Sequence, residues 1–120
     1  MEIVNKVSGE VLSGGAQLRD TFWGRFRGLM LSEKGDAILA CNRESVADAT
    51  IHMMFMLYPI DVAWVDSAMK VVDTARVEPF NPLKPRTVRV YSPRKPAKYV
   101  IELGAGRIGE TKAGDYIEFR

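Results

Sequence analysis

The chain has 120 residues, of which 47% are hydrophobic and 27% are charged, and its formal net charge at pH 7 is +2. A globular chain of this length can bury one core without a metal or a disulfide, so we expect a single domain over residues 1–120. The single cysteine, Cys41, excludes an intrachain disulfide, and the most apolar stretch, residues 51–65, is too short and too polar to span a bilayer. We therefore expect a soluble, cytoplasmic protein with no membrane span.

The first predicted elements are a strand at residues 2–7 and one short helix at residues 20–30. The helix is predicted because Phe22, Phe26 and Leu29 recur at helical spacing and would face the core together.

The remainder of the chain has a β pattern. Alternating or continuous apolar segments predict strands at residues 37–41, 50–57, 60–66, 71–78, 87–91, 98–103 and 115–119. Pro59 separates two of these strands, because proline cannot donate to a central ladder. About seven to eight short strands with one short helix predict an α+β fold that is mainly β, built as a compact barrel-like or sandwich-like domain.

Residues 51–61 read IHMMFMLYPID and contain the only histidine of the chain. In a strand, His52, Met54 and Met56 would share one face, and imidazole and thioether groups are suitable ligands for Cu(I). A segment that is apolar on both faces is more typical of a buried, central strand in which methionine fills gaps in the core. We favour the central strand, and we expect no metal and no cofactor.

His52 also suggests an enzyme, in which it would act as a general base oriented by Asp61 or Asp48. No G-x-S-x-G or H-E-x-x-H sequence accompanies it, and Cys41 lies in an apolar run, where a thiol is usually inert. An enzyme with His52 and Asp61 as an acid–base pair is one alternative, and the sequence favours a protein that is not an enzyme.

Gly104, Gly106 and Gly109 form G-x-G-x-x-G directly after a predicted strand. A dinucleotide site also requires a helix, a second parallel strand and an acidic residue about 20 residues further on. Only 11 residues follow Gly109, so this unit cannot be completed. We interpret the glycines as a tight turn before the last strand.

A basic segment at residues 81–98 contains six cations and no acid, so the rest of the chain carries a net charge of −4. The cations of this segment are Lys84, Arg86, Arg89, Arg94, Lys95 and Lys98. With Tyr91 and Tyr99 among them, they suggest binding of a nucleic acid or an acidic partner as a further alternative. No nucleic-acid motif is present, so we favour solvated loops and expect no nucleic-acid partner.

Several short motifs occur in an order that resembles the domain-of-unknown-function family 192 (DUF192), a group of small bacterial and archaeal proteins. The motifs are RFRGLM (25–30), HM (52–53), PID (59–61), Pro79, VIELGAG (100–106) and GD (114–115). The resemblance extends from about residue 3 to residue 119 and implies a compact β-rich fold, with no established activity. The positions it selects are Arg27, Gly28, Leu29, Met30, Met53, Pro59, Asp61, Glu102, Leu103, Ala105, Gly106, Gly114 and Asp115.

This chain departs from the family pattern at three places. Many relatives have tryptophan where this chain has His52, which argues against a histidine chemistry common to the family. Many have a polar Lys-Asn-Thr run at positions 54–56, and the usual proline of the E-L-P-A-G element is Gly104 here.

Our main hypothesis is a small soluble β-rich binding module for a small polar or anionic ligand. The candidate ligand-binding residues are Arg27, Asp61, Glu102 and His52, with Arg27 as the anion contact. If this site exists, Arg27 lies within salt-bridge or one-water distance of Asp61 or Glu102, around a cavity. An inward-facing Glu102 also needs a partner, because an unpaired buried carboxylate is very unfavourable. The sequence leaves the ligand and the oligomeric state open.

Overall fold

The computed structural model describes residues 1–19, 36–46, 49, 51–52, 59–77 and 90–120, and these ranges contain ten β-strands. The strands are β1 (Ile3–Asn5), β2 (Val11–Ser13), β3 (Gln17–Arg19), β4 (Ala37–Ser45), β5 (Ile51–His52), β6 (Ile60–Val65), β7 (Val71–Val77), β8 (Val90–Tyr91), β9 (Ala97–Gly104) and β10 (Ile117–Phe119). The prediction of a mainly β protein is confirmed. The helix predicted at residues 20–30 lies outside the described residues.

The largest sheet has five strands in the order β3-β4-β9-β6-β7, with β9 at its centre. β3 and β4 are parallel, and the other neighbours in this sheet are antiparallel. A second sheet has the order β10-β1-β2, and the two-residue strands β5 and β8 form a separate pair. Within the described residues β3 and β7 are the edges of the five-stranded sheet, so these strands do not form the closed barrel that was one of the two predicted architectures.

Hydrophobic clusters cover both faces of the five-stranded sheet. One cluster includes Leu39, Val62, Trp64, Val77 and Val100. The other joins the two larger sheets and includes Ile3, Leu12, Ile117, Ile38, Ala63 and Ile101. The three-stranded sheet therefore packs against one face of the five-stranded sheet, which agrees with the layered alternative of the prediction. The radius of gyration is 13.3 Å, and a compact chain of this length is expected to have about 13.6 Å.

The segment at residues 60–65, which is apolar except for Asp61, becomes β6 and is buried at all six positions between β7 and β9. Trp64 is the largest fully buried side chain, and its Nε1–H donates to the Ala49 carbonyl at 2.8 Å. This hydrogen bond satisfies the only polar atom of the indole inside the core.

Two details of the predicted strand pattern are wrong. Residues 51–52 pair with β8 in the two-stranded sheet and are not part of a central strand; β9 has the central position. An apolar run shows that a strand is buried, but it does not show which strands flank it. The short strands β2 and β3 were also missed, because three residues are too few to display a period of two. Residues 53–58 lie outside the described part of the chain.

A buried polar network fixes the turn after β1 to the segment before β10. The Asn5 amide donates to Thr111 Oγ1 at 3.0 Å and to Asp115 Oδ2 at 3.1 Å. Asn5 Oδ1 accepts from the backbone N–H groups of Val7 at 2.9 Å and Ser8 at 3.2 Å. All four hydrogen bonds of the buried amide are made, as burial of such a group requires.

Within the described ranges, no helix combines the length and the apolar character needed to cross a membrane.

Candidate functional site

Asp61 lies in the middle of the five-stranded sheet, where β6 is flanked by β7 and β9. It pairs directly with Arg76 on β7 and with Leu103 on β9, so these three side chains share one face. Asp61 is only 2% exposed. A carboxylate in this position needs strong hydrogen-bond donors to compensate for the loss of water.

The structure supplies three donors to the Asp61 carboxylate. Arg76 Nε donates to Oδ1 at 2.7 Å, which is short and typical of a charge-assisted bond. The backbone N–H groups of Gly106 and Ile108 donate to Oδ2 at 2.8 and 3.2 Å. Both oxygens are therefore engaged, and Asp61 connects β6, β7 and the turn that follows β9.

That turn contains the G-x-G-x-x-G sequence. Gly106 and Gly109 have φ angles of +85° and +59°, which glycine adopts without the strain that a β-carbon introduces. The backbone N–H of Gly104 donates to Asp36 Oδ1 at 3.1 Å, and Arg107 Nη2 donates to the Leu12 carbonyl at 3.1 Å. The prediction of a tight turn is confirmed. In nucleotide-binding loops such N–H groups hold a phosphate, and here two of them hold a carboxylate of the protein itself.

An open groove of about 410 Å³ lies beside this cluster. Its lining residues are Asp61, Thr74, Ala75, Arg76, Gly106, Ile108 and Gly109. The Arg76 side chain is 51% exposed, in contrast to the buried carboxylate that holds it. Within the described part of the chain, the two Nη groups of Arg76 and the Thr74 hydroxyl have no hydrogen-bond partner. Among the described residues, the groove therefore presents three donor groups along β7, the two Nη groups of Arg76 and the Thr74 hydroxyl.

Glu102 is also buried, with 5% exposure, but it lies on the other face of the sheet. It pairs with Ala37 on β4 and with Val62 on β6, and Val62 is adjacent to Asp61 in the chain. Side chains of adjacent strand residues point to opposite faces, so the structure does not bring Asp61 and Glu102 together. Arg27 lies outside the described residues, and its contact with either carboxylate stays a prediction.

His52 and Asp61 lie in different sheets, since β5 pairs with β8 and β6 belongs to the five-stranded sheet. The side chain of His52 lies outside the description, as do Met54 and Met56, so the copper hypothesis stays untested. Among the described residues no group of three or more His, Cys, Asp or Glu side chains is arranged to hold a metal ion.

Three of the six predicted basic residues fall within the described part of the chain. Arg94 is exposed, donates its backbone N–H to Asp73 Oδ2 at 3.1 Å, and places its Nε 3.9 Å from the same oxygen. Lys98 is half-buried, and its Nζ donates to the Cys41 carbonyl at 2.5 Å. Lys95 is exposed. Lys84, Arg86 and Arg89 lie outside the described residues.

Arg76 was missed as a site residue, because the sequence indicates the hairpin but not its register. Symmetric pairing about a turn at residues 66–70 would place position 61 opposite position 75, and a register shift between Trp64 and Val65 places Asp61 opposite Arg76 instead. An aspartate opposite an arginine is a favourable cross-strand pair. The carboxylate contacts from the turn after β9 have no local signal of this kind.

Two further motif positions, Gly114 and Asp115, have structural roles. Gly114 has a φ of +99°, and Asp115 accepts from the Asn5 amide and from the backbone N–H of Lys112 at 3.2 Å. Asp115 belongs to the network that holds the turn after β1 to the segment before β10, the Gly114 N–H donates to the Val71 carbonyl at 2.8 Å, and neither residue lines the groove.

The DUF192 family model ("Uncharacterized ACR") matches residues 3–119. A UPF0127 protein of Thermococcus kodakarensis is 39% identical over 121 residues, covering 98% of this chain and 72% of the relative. A UPF0127 protein of Pyrococcus abyssi is 35% identical over 120 residues, covering 98% of this chain and 96% of the relative. These names state no activity.

Two crystal structures are similar in fold. One is a protein of unknown function from Novosphingobium aromaticivorans, with a TM-score of 0.77 and 22% identity, covering 98% of this chain and 84% of that chain. The other, a "putative transcription regulator" from Sinorhizobium meliloti, has a TM-score of 0.74 and 18% identity and covers 98% of this chain and 89% of that chain. At these identities the similarity shows a shared fold alone.

Proposed function

Since the chain belongs to the DUF192 family, which has no assigned activity, we propose from its own geometry that it is a small binding module whose groove beside Asp61 and Arg76 holds a small anionic ligand. The observation that carries this proposal is the Arg76 side chain: a buried carboxylate fixes its Nε at 2.7 Å, and its other end faces the groove. Arg76 takes the place of anion contact that the sequence hypothesis gave to Arg27.

The Asp61–Arg76 bond supports binding because it orients the guanidinium before a ligand arrives. A free arginine side chain loses rotamer freedom when it binds, which subtracts from the affinity. Here the Asp61 carboxylate already holds Arg76 Nε, and the backbone N–H groups of Gly106 and Ile108 fix that carboxylate. The two Nη groups then form a fork whose spacing matches the two oxygens of a carboxylate or a phosphate.

The Thr74 hydroxyl offers a second contact for a ligand in the groove. Thr74 and Arg76 alternate along β7 on the same face, and both line the groove. A ligand with one anionic group on Arg76 and a second acceptor about 7 Å away can reach both, because residues two apart on a strand are separated by that distance. The ligand is therefore small, polar at two points and anionic at one.

The enzyme alternative gains no specific support from the described residues. A general base needs a free lone pair directed at the substrate. Asp61 is 2% exposed, and three of the about four lone-pair sites of its carboxylate already accept hydrogen bonds from the protein itself. The alternative of a nucleic acid or acidic partner at residues 84–98 also gains none, since Arg94 faces Asp73 and Lys98 binds a backbone carbonyl. The single domain and the cytoplasmic location stay predictions.

The proposal is tested by titrating ¹⁵N-labelled protein with acetate and with methyl phosphate while ionic strength is held constant. We expect saturable shifts at the Thr74 and Gly109 amides with at least one anion, at concentrations in about the millimolar range that suits so small a ligand. Arg76→Gln should abolish them. Arg94→Gln removes the same charge from another exposed arginine and should leave them in place.

No saturable shift with either anion, or equal shifts in Arg76→Gln, would contradict the proposed function.

A further inference from the structure

Resting on the proposed function, we infer that the groove at Arg76 selects a singly charged carboxylate over a doubly charged phosphate monoester. The fork formed by the Arg76 Nη groups fits either anion, so shape does not discriminate between them. The discrimination comes from the other charges around the groove.

Two carboxylates accompany the single guanidinium. Asp61 is in direct contact with Arg76, with Oδ1 at 2.7 Å from Nε. The second is Glu10: a β-carbon placed on Gly109 would collide with its carboxylate, so this carboxylate lies directly over a residue that lines the groove. Among the described residues that line the groove, Arg76 and Asp61 carry opposite charges that cancel, and Glu10 adds a negative charge beside Gly109. Phosphate sites, by contrast, are typically rich in positive charge or in free N–H groups.

The backbone donors that could compensate for a dianion are already used. Gly106 and Ile108 direct their N–H groups at Asp61 Oδ2. A glycine-rich turn of this kind would otherwise be the phosphate-binding element. The built-in carboxylate occupies the N–H groups of Gly106 and Ile108, and the side-chain donors that an incoming anion meets among the described residues are the Arg76 fork and the Thr74 hydroxyl.

The charge of the ligand decides the outcome because two terms scale differently. Coulomb attraction to Arg76 grows in proportion to the ligand charge, and so does repulsion from Asp61 and Glu10. The desolvation penalty grows with the square of the charge in the Born description. With one guanidinium and two carboxylates nearby, the net attraction of an anion per unit of ligand charge is small. It therefore compensates for the desolvation of a monoanion better than for that of a dianion.

The test compares dissociation constants for acetate and methyl phosphate at pH 8, where a phosphate monoester with a second pKa of about 6 is a dianion. Ionic strength is matched with sodium chloride, and binding is followed at the Thr74 and Gly109 amides. We expect acetate to bind at least about threefold more tightly than methyl phosphate. Coulomb attraction to Arg76 alone predicts the reverse, because it is stronger for a dianion.

The variant Glu10→Gln tests the cause. It removes the negative charge beside Gly109 and keeps the size of the side chain. Because repulsion is linear in ligand charge, the gain in log affinity should be about twice as large for methyl phosphate as for acetate. Glu118→Gln, an exposed carboxylate elsewhere, serves as the control and should leave both affinities unchanged.

The outcomes separate the two proposals. Methyl phosphate binding as tightly as acetate or more tightly, with loss of binding in Arg76→Gln, would overturn the selectivity and leave the anion site intact. Equal effects of Glu10→Gln on both ligands would overturn the electrostatic cause. The absence of saturable binding by either anion would overturn the selectivity together with the proposed function.

Discussion

Replacement of Asp61 by asparagine tests whether this carboxylate holds the β9–β10 turn and the Arg76 side chain in place. Asparagine has the same shape but only one acceptor oxygen. The backbone N–H groups of Gly106 and Ile108 are fixed by the turn, while the half-exposed Arg76 can rotate toward water. We therefore expect the amide oxygen to face the turn and the amide nitrogen to face the guanidinium.

The magnitude follows from these contacts. Hydrogen bonds to a charged group contribute about 1.5–3 kcal/mol and neutral ones about 0.5–1.5 kcal/mol, so each of the two backbone bonds weakens by about 1 kcal/mol. Loss of the bond to Arg76 adds about 1 kcal/mol at most, since that side chain is exposed and screened by water. The variant should lose about 2–3 kcal/mol of unfolding free energy. Asp61→Ala should lose about 3–5 kcal/mol, because it leaves both N–H groups without an acceptor.

The assay is urea unfolding followed by circular dichroism, combined with hydrogen exchange at the Gly106 and Ile108 amides. Faster exchange at these two amides should accompany the loss of stability, because opening of the turn exposes them first. Glu118→Gln is the matched control: its carboxylate is 41% exposed and lies 3.3 Å from Arg120, and such a surface pair contributes at most about 1 kcal/mol. If Asp61→Asn unfolds within about 0.5 kcal/mol of the wild type, with unchanged exchange at both amides, the anchoring role is refuted.

Three further substitutions, with a fourth as a control, test the supporting structure by the same unfolding measurement. Asn5→Ala should lose about 2–4 kcal/mol, because it removes four hydrogen bonds at a buried position; a change below about 1 kcal/mol would show that the network is not important for stability. Gly109→Ala should lose about 1–2 kcal/mol, since its φ is +59° and the new β-carbon meets a carboxylate. Gly14→Ala, which meets no atom within 4 Å, should change stability by less than about 0.5 kcal/mol, and equal effects at both glycines would contradict this reasoning. Trp64→Phe should lose about 2–3 kcal/mol through the smaller ring and the unpaired Ala49 carbonyl, and a neutral result would show that the core repacks.

The local features of the fold could be read from the sequence. The strand that becomes β6 and the glycine-rich turn after β9 were both predicted, because strand patterns and turns depend on residues that are close in the chain. The β6–β7 hairpin could be read from the sequence, but not its register: a turn at residues 66–70 alone would pair position 61 with position 75, and the shift between Trp64 and Val65 brings Asp61 opposite Arg76.

The sequence by itself determined that the chain is mainly β, that strands form at residues 60–66 and 98–103, and that Gly106 and Gly109 form a turn. Only the tertiary structure decided that β9 lies between β4 and β6, with Val62 opposite Glu102 and Asp61 on the other face. Strand pairs that are about 40 residues apart are selected by the packing of the whole sheet, and no local pattern specifies them. A shift of one residue in that pairing would move every side chain of β9 to the opposite face and would remove the turn from Asp61. The meeting of one carboxylate, one arginine and two backbone N–H groups therefore depends on a register that only the complete fold establishes.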